Sequence, residues 1–304
     1  MTPDWIAIDW GTSNLRAWAM GQGGVLAQAS SDQGMGRLAQ DGFEAALLAL
    51  IAPWLQEAIA AQPMPVFACG MVGSRQGWVE APYRPVPCAP LQAGALQAVA
   101  VQDRRITVQI APGLMQAKPA DVMRGEETQI AGALTLDAGF DGSFCLPGTH
   151  SKWAQISAGE VVSFQTYLTG EMFALLGTQS VLRFGIAGDG WDEAAFDLGV
   201  AEGMARPERL SANLFRLRAE GLIGDLAPVA ARARLSGLLI GAELAAAKAY
   251  WLGTRVGLIG SAALIGLYSR ALLAQGVRAR SLPATDCTLA GLAFAAGLFA
   301  KGPK

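Results

Sequence analysis

Two short segments place glycine beside hydroxyl side chains in a way that suits phosphate binding. They are DWGTSN at residues 9–14 and PGTHSK at residues 147–152. Backbone N–H groups and hydroxyls in such turns are good ligands for phosphate oxygens, and glycine permits a close approach. Asp9 could also hold a hydrated Mg²⁺ near the same phosphates. One such turn is equally well explained as an ordinary hairpin turn, but the presence of two favours phosphate handling.

Each turn must be held by the strands on either side of it. Apolar runs predict strands at 5–9 and 15–20 around the first turn, and at 143–146 and 153–156 around the second. The same hairpin therefore occurs once in each half of the chain, which indicates two related lobes. The other predicted strands are 25–30, 66–69, 106–110, 161–166 and 256–261. The predicted helices are 43–61, 123–136, most of 171–256, 262–275 and 288–299. Pro53 would either start a new helix or kink the one at 43–61.

The composition limits the chemistry that the chain can perform. Of 304 residues, 52% are hydrophobic and 16% charged, the net charge is −2, and there is one histidine. A single histidine excludes histidine-cluster metal sites, so acid–base chemistry must rest mainly on carboxylates, lysines or His150. The net charge argues against a nucleic-acid partner. The four scattered cysteines predict reduced thiols. The chain has no secretory signal and no suitable membrane span, so we expect a cytoplasmic protein without a membrane partner.

The motifs resemble those of the actin-like kinases, a fold shared by sugar kinases and actin. Residues 9–14 look like the first phosphate motif, 147–152 stand where the second is expected, and LIGSA at 258–262 is similar to the adenosine motif. Pro147 departs from the pattern, since an aspartate is expected in that region. A narrower resemblance, to the 2-dehydro-3-deoxygalactonokinase family, rests on ordered blocks at residues 6–18, 70–74, 77–78, 122–129, 147–153, 169–171 and 235–243.

The resemblance implies an α/β, two-lobe actin-like ATPase (ribonuclease H-like) fold with an interlobe cleft. The expected lobes are residues 1–120, with the first phosphate motif and a sugar-acid loop, and residues 121–304, with the second phosphate motif and the adenosine motif. The closing helix at 288–300 would pack back on the N-terminal lobe. The implied activity is transfer of the ATP γ-phosphate to the terminal hydroxyl of 2-dehydro-3-deoxy-D-galactonate, with Mg²⁺. The product would be the 6-phosphate of this sugar acid, formed in the breakdown of galactonate. The implied partner is a small sugar acid, and a homodimer is allowed.

The same resemblance assigns roles to residues. The expected ATP and phosphate ligands are Gly11, Thr12, Ser13, Asn14, Arg16, Gly148, Thr149, His150, Lys152, Gly260 and Ser261. The expected catalytic residues are Glu127, Glu126 and Asp9, with Asp9 also the metal ligand. The expected substrate-binding residues are Gly73, Ser74, Trp78, Arg124 and Glu171.

Several of these residues have a simpler explanation. Glu126 or Glu127 would be the base, because related enzymes of this fold carry an acid there, but acids in a first helical turn also complement the helix dipole. Arg124 suits a substrate carboxylate or a surface salt bridge. Trp78 would be a wall of the sugar-acid site or a core aromatic.

The other polar candidates are equally divided. Arg16 would neutralise phosphate or occupy a solvated strand position, and Lys152 would stabilise transferring charge or point to solvent. His150 lies inside a phosphate-type turn, which favours a phosphate or substrate contact over a structural role. Glu171 is a candidate supporting group for metal or substrate. The arginines between 206 and 234 are interpreted as a solvated helical face.

Three other functions stay open. The chain could be an actin-fold kinase for a different sugar or sugar acid, because fold does not dictate substrate. The Gly-Glu-Glu segment at 125–127 also suits a polyphosphate or nucleotide phosphohydrolase. A sugar-sensing regulator is the non-enzyme alternative, although a motif that starts at Ile6 leaves no room for an N-terminal helix-turn-helix.

Overall fold

A computed structural model describes residues 3–55 and 62–301, and the chain divides into two compact units. The first unit comprises Met1–Phe140, Ala158–Val162 and Ala284–Lys304, and the second comprises Asp141–Ser157 and Ser163–Pro283. The first unit therefore reaches Phe140 rather than residue 120, and it also includes the closing helix.

The described residues form mixed α/β structure. The strands are Trp5–Trp10 (β1), Leu15–Gly21 (β2), Gly24–Ser31 (β3), Met64–Cys69 (β4), Arg84–Pro85 (β5), Gln97–Val99 (β6), Ile106–Ile110 (β7), Leu114–Gln116 (β8), Asp121–Met123 (β9), Gly142–Leu146 (β10), Ser151–Ser157 (β11), Glu160–Tyr167 (β12), Val256–Gly260 (β13) and Arg280–Pro283 (β14). The α-helices are Phe43–Ile51 (α1), Glu126–Leu136 (α2), Thr169–Thr178 (α3), Glu193–Ala205 (α4), Leu210–Ile223 (α5), Pro228–Ala246 (α6), Lys248–Trp251 (α7), Ala262–Leu273 (α8) and Ala284–Lys301 (α9).

The first unit is built on a sheet with the strand order β3-β2-β1-β4-β7-β6. The strands β1, β2 and β3 form an antiparallel meander, and β4 and β7 continue from β1 in parallel. Side chains alternate across β1, so Ile6 and Ile8 join the core that contains Phe43 of α1. Ala7 faces the opposite way, into the core that contains Leu292 of α9. The end of β1 is therefore fixed from both sides.

The second unit repeats this arrangement with the strand order β12-β11-β10-β13-β14. The strands β10 and β11 form an antiparallel hairpin, while β13 and β14 follow β10 in parallel. The predicted pair of related hairpins, one in each half of the chain, is therefore confirmed. Helices α4 and α6 pack closely against each other, and Phe196 and Val200 of α4 share a core with Ile240 and Leu244 of α6.

Several local predictions need correction. The helix predicted at 123–136 begins at Glu126, because Gly125 has a φ of 102° and residues 121–123 form β9 instead. Pro53 lies in a short 3₁₀ turn after α1, so the helix ends at Ile51, and residues 56–61 of the predicted helix fall outside the described residues.

One arginine of the supposed solvated face is buried. Arg234 is only 7% exposed, and its guanidinium donates hydrogen bonds to Glu202 at 2.8 Å and to Glu220 at 2.5 Å. The interpretation of all the arginines between 206 and 234 as surface residues is therefore wrong for this position. In residues 3–55 and 62–301, no helix combines the length and apolar character needed to cross a bilayer.

Candidate active site

Asp9 lies near the carboxyl end of β1, opposite Arg16 of β2 in the antiparallel register. This register places both side chains on one face, where the Arg16 guanidinium donates a hydrogen bond to Asp9 Oδ2. Burial raises the pKa of Asp9, and the charge of Arg16 offsets part of that effect. Arg16 is neither free nor simply solvated, because its charge holds a mostly buried carboxylate.

Three chain segments meet beside Asp9. A Cβ atom placed on Gly70 would lie 2.8 Å from the carbonyl oxygen of Trp10 and 3.5 Å from Asp9 Oδ1. A Cβ atom placed on Gly125 would lie 3.3 Å from Gly70 Cα. The ends of β1 and β4 and the start of α2 are therefore in close contact, and glycine at both positions makes that possible.

Glu127 is a fully buried carboxylic acid in the first turn of α2. Its oxygens accept hydrogen bonds from the backbone N–H of Gly125 at 2.7 Å and from the Thr128 hydroxyl at 3.0 Å. Burial is the main cause that raises the pKa of Glu127 to about 8, and the charge of Glu126 is the second cause. Such a pKa makes Glu127 a stronger base than an ordinary carboxylate and lets it change protonation near neutral pH.

Glu126 differs from its neighbour because its side chain is only partly buried. Its Oε2 atom accepts a hydrogen bond from the backbone N–H of Arg124 at 3.0 Å, and its charge raises the pKa of both Asp9 and Glu127. Among the described residues there is no group of three or more His, Cys, Asp or Glu side chains arranged to hold a metal ion.

Arg124 is a buried cation in the first unit. It is 8% exposed, donates one hydrogen bond from Nη2 to the carbonyl oxygen of Ala81 at 2.7 Å, and lies 4.3 Å from the ring centre of Tyr83. Its Nε and Nη1 atoms are buried without a partner among the described residues, and so is the hydroxyl of Ser74. A surface salt bridge is therefore the wrong explanation for Arg124.

Gly73 makes room for this guanidinium. A Cβ atom at Gly73 would lie 2.9 Å from Arg124 Nη1. The structure thus brings together Gly73, Ser74 and Arg124, three of the residues predicted to bind substrate. Trp78 has a different position: it is 9% exposed and packs in the core against Trp10 and Phe43, which supports its interpretation as a core aromatic.

The first glycine turn is exposed at Thr12, Ser13 and Asn14, and it is closed by a hydrogen bond from the Gly11 N–H to the Asn14 carbonyl oxygen at 2.9 Å. Gly34 supports it from below, since a Cβ atom there would lie 2.2 Å from the backbone of Ser13. No local sequence pattern indicates this contact, because residue 34 is about twenty positions from the turn.

In the second unit, the turn at 147–150 packs against the start of α3. The Glu171 N–H donates to the Thr149 carbonyl oxygen at 2.9 Å, and a Cβ atom on Gly170 would lie 2.2 Å from the Gly148 oxygen. His150 Nε2 and Glu171 Oε2 are 2.8 Å apart, so each predicted site residue has the other as its partner.

A cavity of about 330 Å³ opens next to this turn. Its walls are mostly apolar and aromatic, with a few polar groups, as is usual for small-molecule sites. The lining residues are Gly148, Thr169, Gly170, Phe173, Gly188, Asp189, Gly190, Trp191, Arg232, Ser236, Leu239, Ile240, Leu264, Leu267 and Tyr268. Apart from Gly148, the predicted site residues are not in this lining, and the aromatic side chains of Phe173 and Trp191 escaped prediction.

The remaining candidates of the second unit are close to the cavity or buried. Gly260 is the last residue of β13. The Ser261 hydroxyl accepts a hydrogen bond from the Leu264 N–H at 3.4 Å and so caps α8. Helix α8 supplies part of the cavity wall. Lys152 is 5% exposed, and its Nζ atom lies 3.5 Å from the His150 carbonyl oxygen. The alternative in which Lys152 points to solvent is therefore wrong.

Two sheets of matching strand order, each with a glycine turn in its hairpin, define an actin-like α/β fold. A solved structure of a Sinorhizobium meliloti protein, provisionally named a 2-dehydro-3-deoxygalactonokinase, has a TM-score of 0.88 and 39% identity, covering 96% of this chain and 98% of that one. The chain belongs to the 2-keto-3-deoxy-galactonokinase family, whose sequence profile matches residues 9–295.

Two further relatives support this membership. A probable 2-dehydro-3-deoxygalactonokinase of Rhizobium meliloti (strain 1021) is 40% identical over 298 residues, which is 95% of each chain. The 2-dehydro-3-deoxygalactonokinase of Escherichia coli (strain K12) is 35% identical over 295 residues, covering 96% of this chain and 97% of that protein. The family resemblance predicted from the motifs is therefore confirmed.

Proposed function

We propose that the chain is an ATP-dependent kinase that phosphorylates the terminal hydroxyl of 2-dehydro-3-deoxy-D-galactonate. The observation that carries the proposal is the buried Arg124 guanidinium, whose Nε and Nη1 atoms have no partner among the described residues. A buried cation with unused donors favours an anionic partner, because leaving buried N–H groups without acceptors is costly. The carboxylate of a sugar acid matches a guanidinium in size and geometry.

The Ser74 hydroxyl supports this choice of ligand. It is 5% exposed and lacks a partner within the described chain, like the two nitrogen atoms of Arg124. A carboxylate or an adjacent hydroxyl of the sugar acid would satisfy it. A neutral sugar without a carboxylate would leave Arg124 unpaired, so the site should discriminate strongly against such a sugar.

Glu127 is the proposed base. With a pKa of about 8, its carboxylate has a greater affinity for the proton of the attacking hydroxyl than an ordinary glutamate has. Because the side chain is fully buried, the hydroxyl can reach it only after neighbouring residues move. Glu126 is more exposed and is the alternative base, and comparison of the two variants decides between them.

The second unit would bind the nucleotide. The cavity of about 330 Å³ offers Phe173 and Trp191 for contact with an adenine ring, and it borders Gly148 of the second glycine turn. Backbone N–H groups and hydroxyls of this turn are suitable donors to phosphate oxygens. The use of ATP agrees with the cytoplasmic location predicted from the sequence.

The chemistry of the residues around Asp9 fits Mg²⁺. This ion is commonly held by one or two carboxylates together with phosphate oxygens and water. Asp9 and Glu126 would supply those carboxylates, since the charge of Glu126 contributes to the raised pKa of Asp9. When bound, Mg²⁺ would neutralise charge on the phosphoryl group.

The test is a coupled assay of ADP release with four acceptor conditions: 2-dehydro-3-deoxygalactonate, its gluconate epimer, a neutral hexose, and no acceptor. We expect release that depends on the sugar acid and is nearly absent with the neutral hexose. Equal turnover of many acceptors would favour a different kinase, and phosphate release without any acceptor would favour a phosphohydrolase.

Arg124→Met should raise the KM for the sugar acid by roughly 10- to 100-fold, as expected for a lost hydrogen-bonded charge pair. The matched control is Arg105→Met, which removes an arginine of the same unit that is paired with Asp103 at the surface. An unchanged KM in Arg124→Met would contradict the assignment of the carboxylate site.

A further inference from the structure

One buried carboxylate in the second unit holds together several elements around the second glycine turn. Glu243 lies in α6 and is 3% exposed. Its Oε1 atom accepts a hydrogen bond from Trp153 Nε1 at 2.8 Å. Its Oε2 atom accepts from the Tyr268 hydroxyl at 2.7 Å and from the Thr169 hydroxyl. Its three donors come from β11, α8 and α3, so the carboxylate connects four elements.

The donors stand next to the turn or line the cavity. Trp153 follows the turn in β11, and Thr169 and Tyr268 are both cavity-lining residues. The Tyr268 hydroxyl also lies 2.9 Å from the hydroxyl of Ser151, the first residue of β11. The glycine turn and two walls of the cavity are thus linked through a single side chain.

The contact with Thr169 is the one that reaches the turn most directly. The next residue, Gly170, packs so tightly on Gly148 that a Cβ atom would lie 2.2 Å from the Gly148 oxygen. The residue after that, Glu171, donates its N–H to the Thr149 carbonyl oxygen at 2.9 Å. A shift of Thr169 by a few tenths of an ångström would therefore move the start of α3 and the turn together.

We propose that Glu243 is a positioning residue for nucleotide binding, which it supports by holding Thr169 and Tyr268 so that the turn and the cavity keep their shape. The inference rests on the proposed kinase function, because it names the nucleotide as the ligand of this cavity. Glu243 itself does not touch the ligand in this scheme.

A carboxylate is the group that this position requires. It has only acceptors, so it can receive all three donors at once. A glutamine amide at this position has two possible orientations. In one, its NH₂ group faces the Trp153 N–H, which cannot accept a hydrogen bond. In the other, it faces the Thr169 and Tyr268 hydroxyls, which must then rotate to accept. Burial raises the pKa of Glu243, while the hydrogen bonds from Thr169, Tyr268 and Trp153 lower it.

The experiment measures ADP binding by calorimetry, with Mg²⁺, on the full chain. The variants are Glu243→Gln, Thr169→Val and Thr169→Ser, together with the double variant Glu243→Gln/Thr169→Val. The matched control is Thr178→Val, which removes a hydroxyl from the other end of α3 that bonds only within its own helix. Thermal melting and the KM for the sugar acid are measured for each protein.

We expect Glu243→Gln and Thr169→Val each to weaken ADP binding about tenfold. Thr169→Ser should restore most of the affinity, and the double variant should lose less than the product of the two single effects, because both remove one interaction. The KM for the sugar acid should stay within about twofold, since lost interactions confined to the nucleotide site leave acceptor binding unchanged.

Wild-type affinity for ADP in folded Glu243→Gln and Thr169→Val would overturn the inference. So would equal losses for ADP and for the sugar acid, which would indicate general structural damage. If Glu243→Gln fails to fold, Thr169→Val against Thr178→Val still decides the question. Absence of ADP binding in the wild type would instead refute the proposed kinase function, and the inference with it.

Discussion

Replacing Glu127 by glutamine should stabilise the protein at neutral and alkaline pH while it removes the proposed base. The carboxylic acid is fully buried, and its pKa in the folded chain is about 8, against an ordinary value of 4.5. That difference corresponds to roughly 5 kcal/mol between the two protonation states. Whether the raised pKa stabilises or destabilises the folded chain depends on which state, folded or unfolded, holds the proton at a given pH.

Below pH 4.5 the group is protonated in both the folded and the unfolded chain, so folding is not opposed. As the pH rises towards 8, the unfolded chain releases its proton but the folded chain keeps it, and the free energy of unfolding falls. The wild type should therefore lose about 3 kcal/mol by pH 7 and about 5 kcal/mol by pH 9. Glutamine has the same shape and does not titrate.

Urea unfolding followed by tryptophan fluorescence, at pH values from 5 to 9, gives the test. The difference in unfolding free energy between Glu127→Gln and the wild type should increase with pH and level off above 8. In Glu126→Gln the pH dependence should remain but end at a lower pH, because the Glu126 charge is one cause of the raised pKa. Parallel curves for Glu127→Gln and the wild type would refute the reasoning.

Three further predictions follow from packing and charge. Gly132→Ala should lower the free energy of unfolding by several kcal/mol. A Cβ atom there would lie 1.8 Å from the Cys287 carbonyl oxygen of α9, so α2 and α9 would be forced apart. A denaturation midpoint equal to that of the wild type would count against this packing. Trp191→Ala should raise the KM for ATP roughly tenfold, because contact with the adenine ring is lost, and it should leave the KM for the sugar acid unchanged. Steady-state kinetics in which each substrate is varied in turn checks this. Arg16→Gln should move the acidic limb of the kcat/KM profile to higher pH, because Arg16 offsets the rise in the pKa of Asp9 caused by burial; an unmoved limb would show that Asp9 does not control it.

The two hairpins were predictable because their signals are local. Apolar runs ending in glycine turns depend only on neighbouring residues, and the structure has strands at Trp5–Trp10 and Gly142–Leu146 before those turns. The predicted start of α2 at residue 123 is too early because Met123 belongs to β9, and its pairing with Leu114 of β8 depends on a separate strand. Short strands of this kind are determined by their partners rather than by their own sequence.

The candidate site was predictable only in part, for a similar reason. The sequence singled out Arg124 and Ser74, but the absence of partners for them depends on how the chain buries them. Asp189 and Trp191 line the cavity together with residues of α3, α6 and α8, and no local pattern relates those segments. The hydrogen bonds of Glu243 likewise join residues that are as far apart in sequence as Trp153 and Tyr268.

The first unit is assembled from three separate stretches of the chain, and this affects how it can fold during synthesis. Helix α9 covers α2 and the strands β1 and β4, yet it is made after Asp141–Ser157 and Ser163–Pro283 have been completed. At ribosomal speeds, that interval lasts roughly 7–30 s. Throughout this time the apolar surface around Ala7 and Phe67 lacks its cover, whereas the second unit has all its residues as soon as Pro283 has been added.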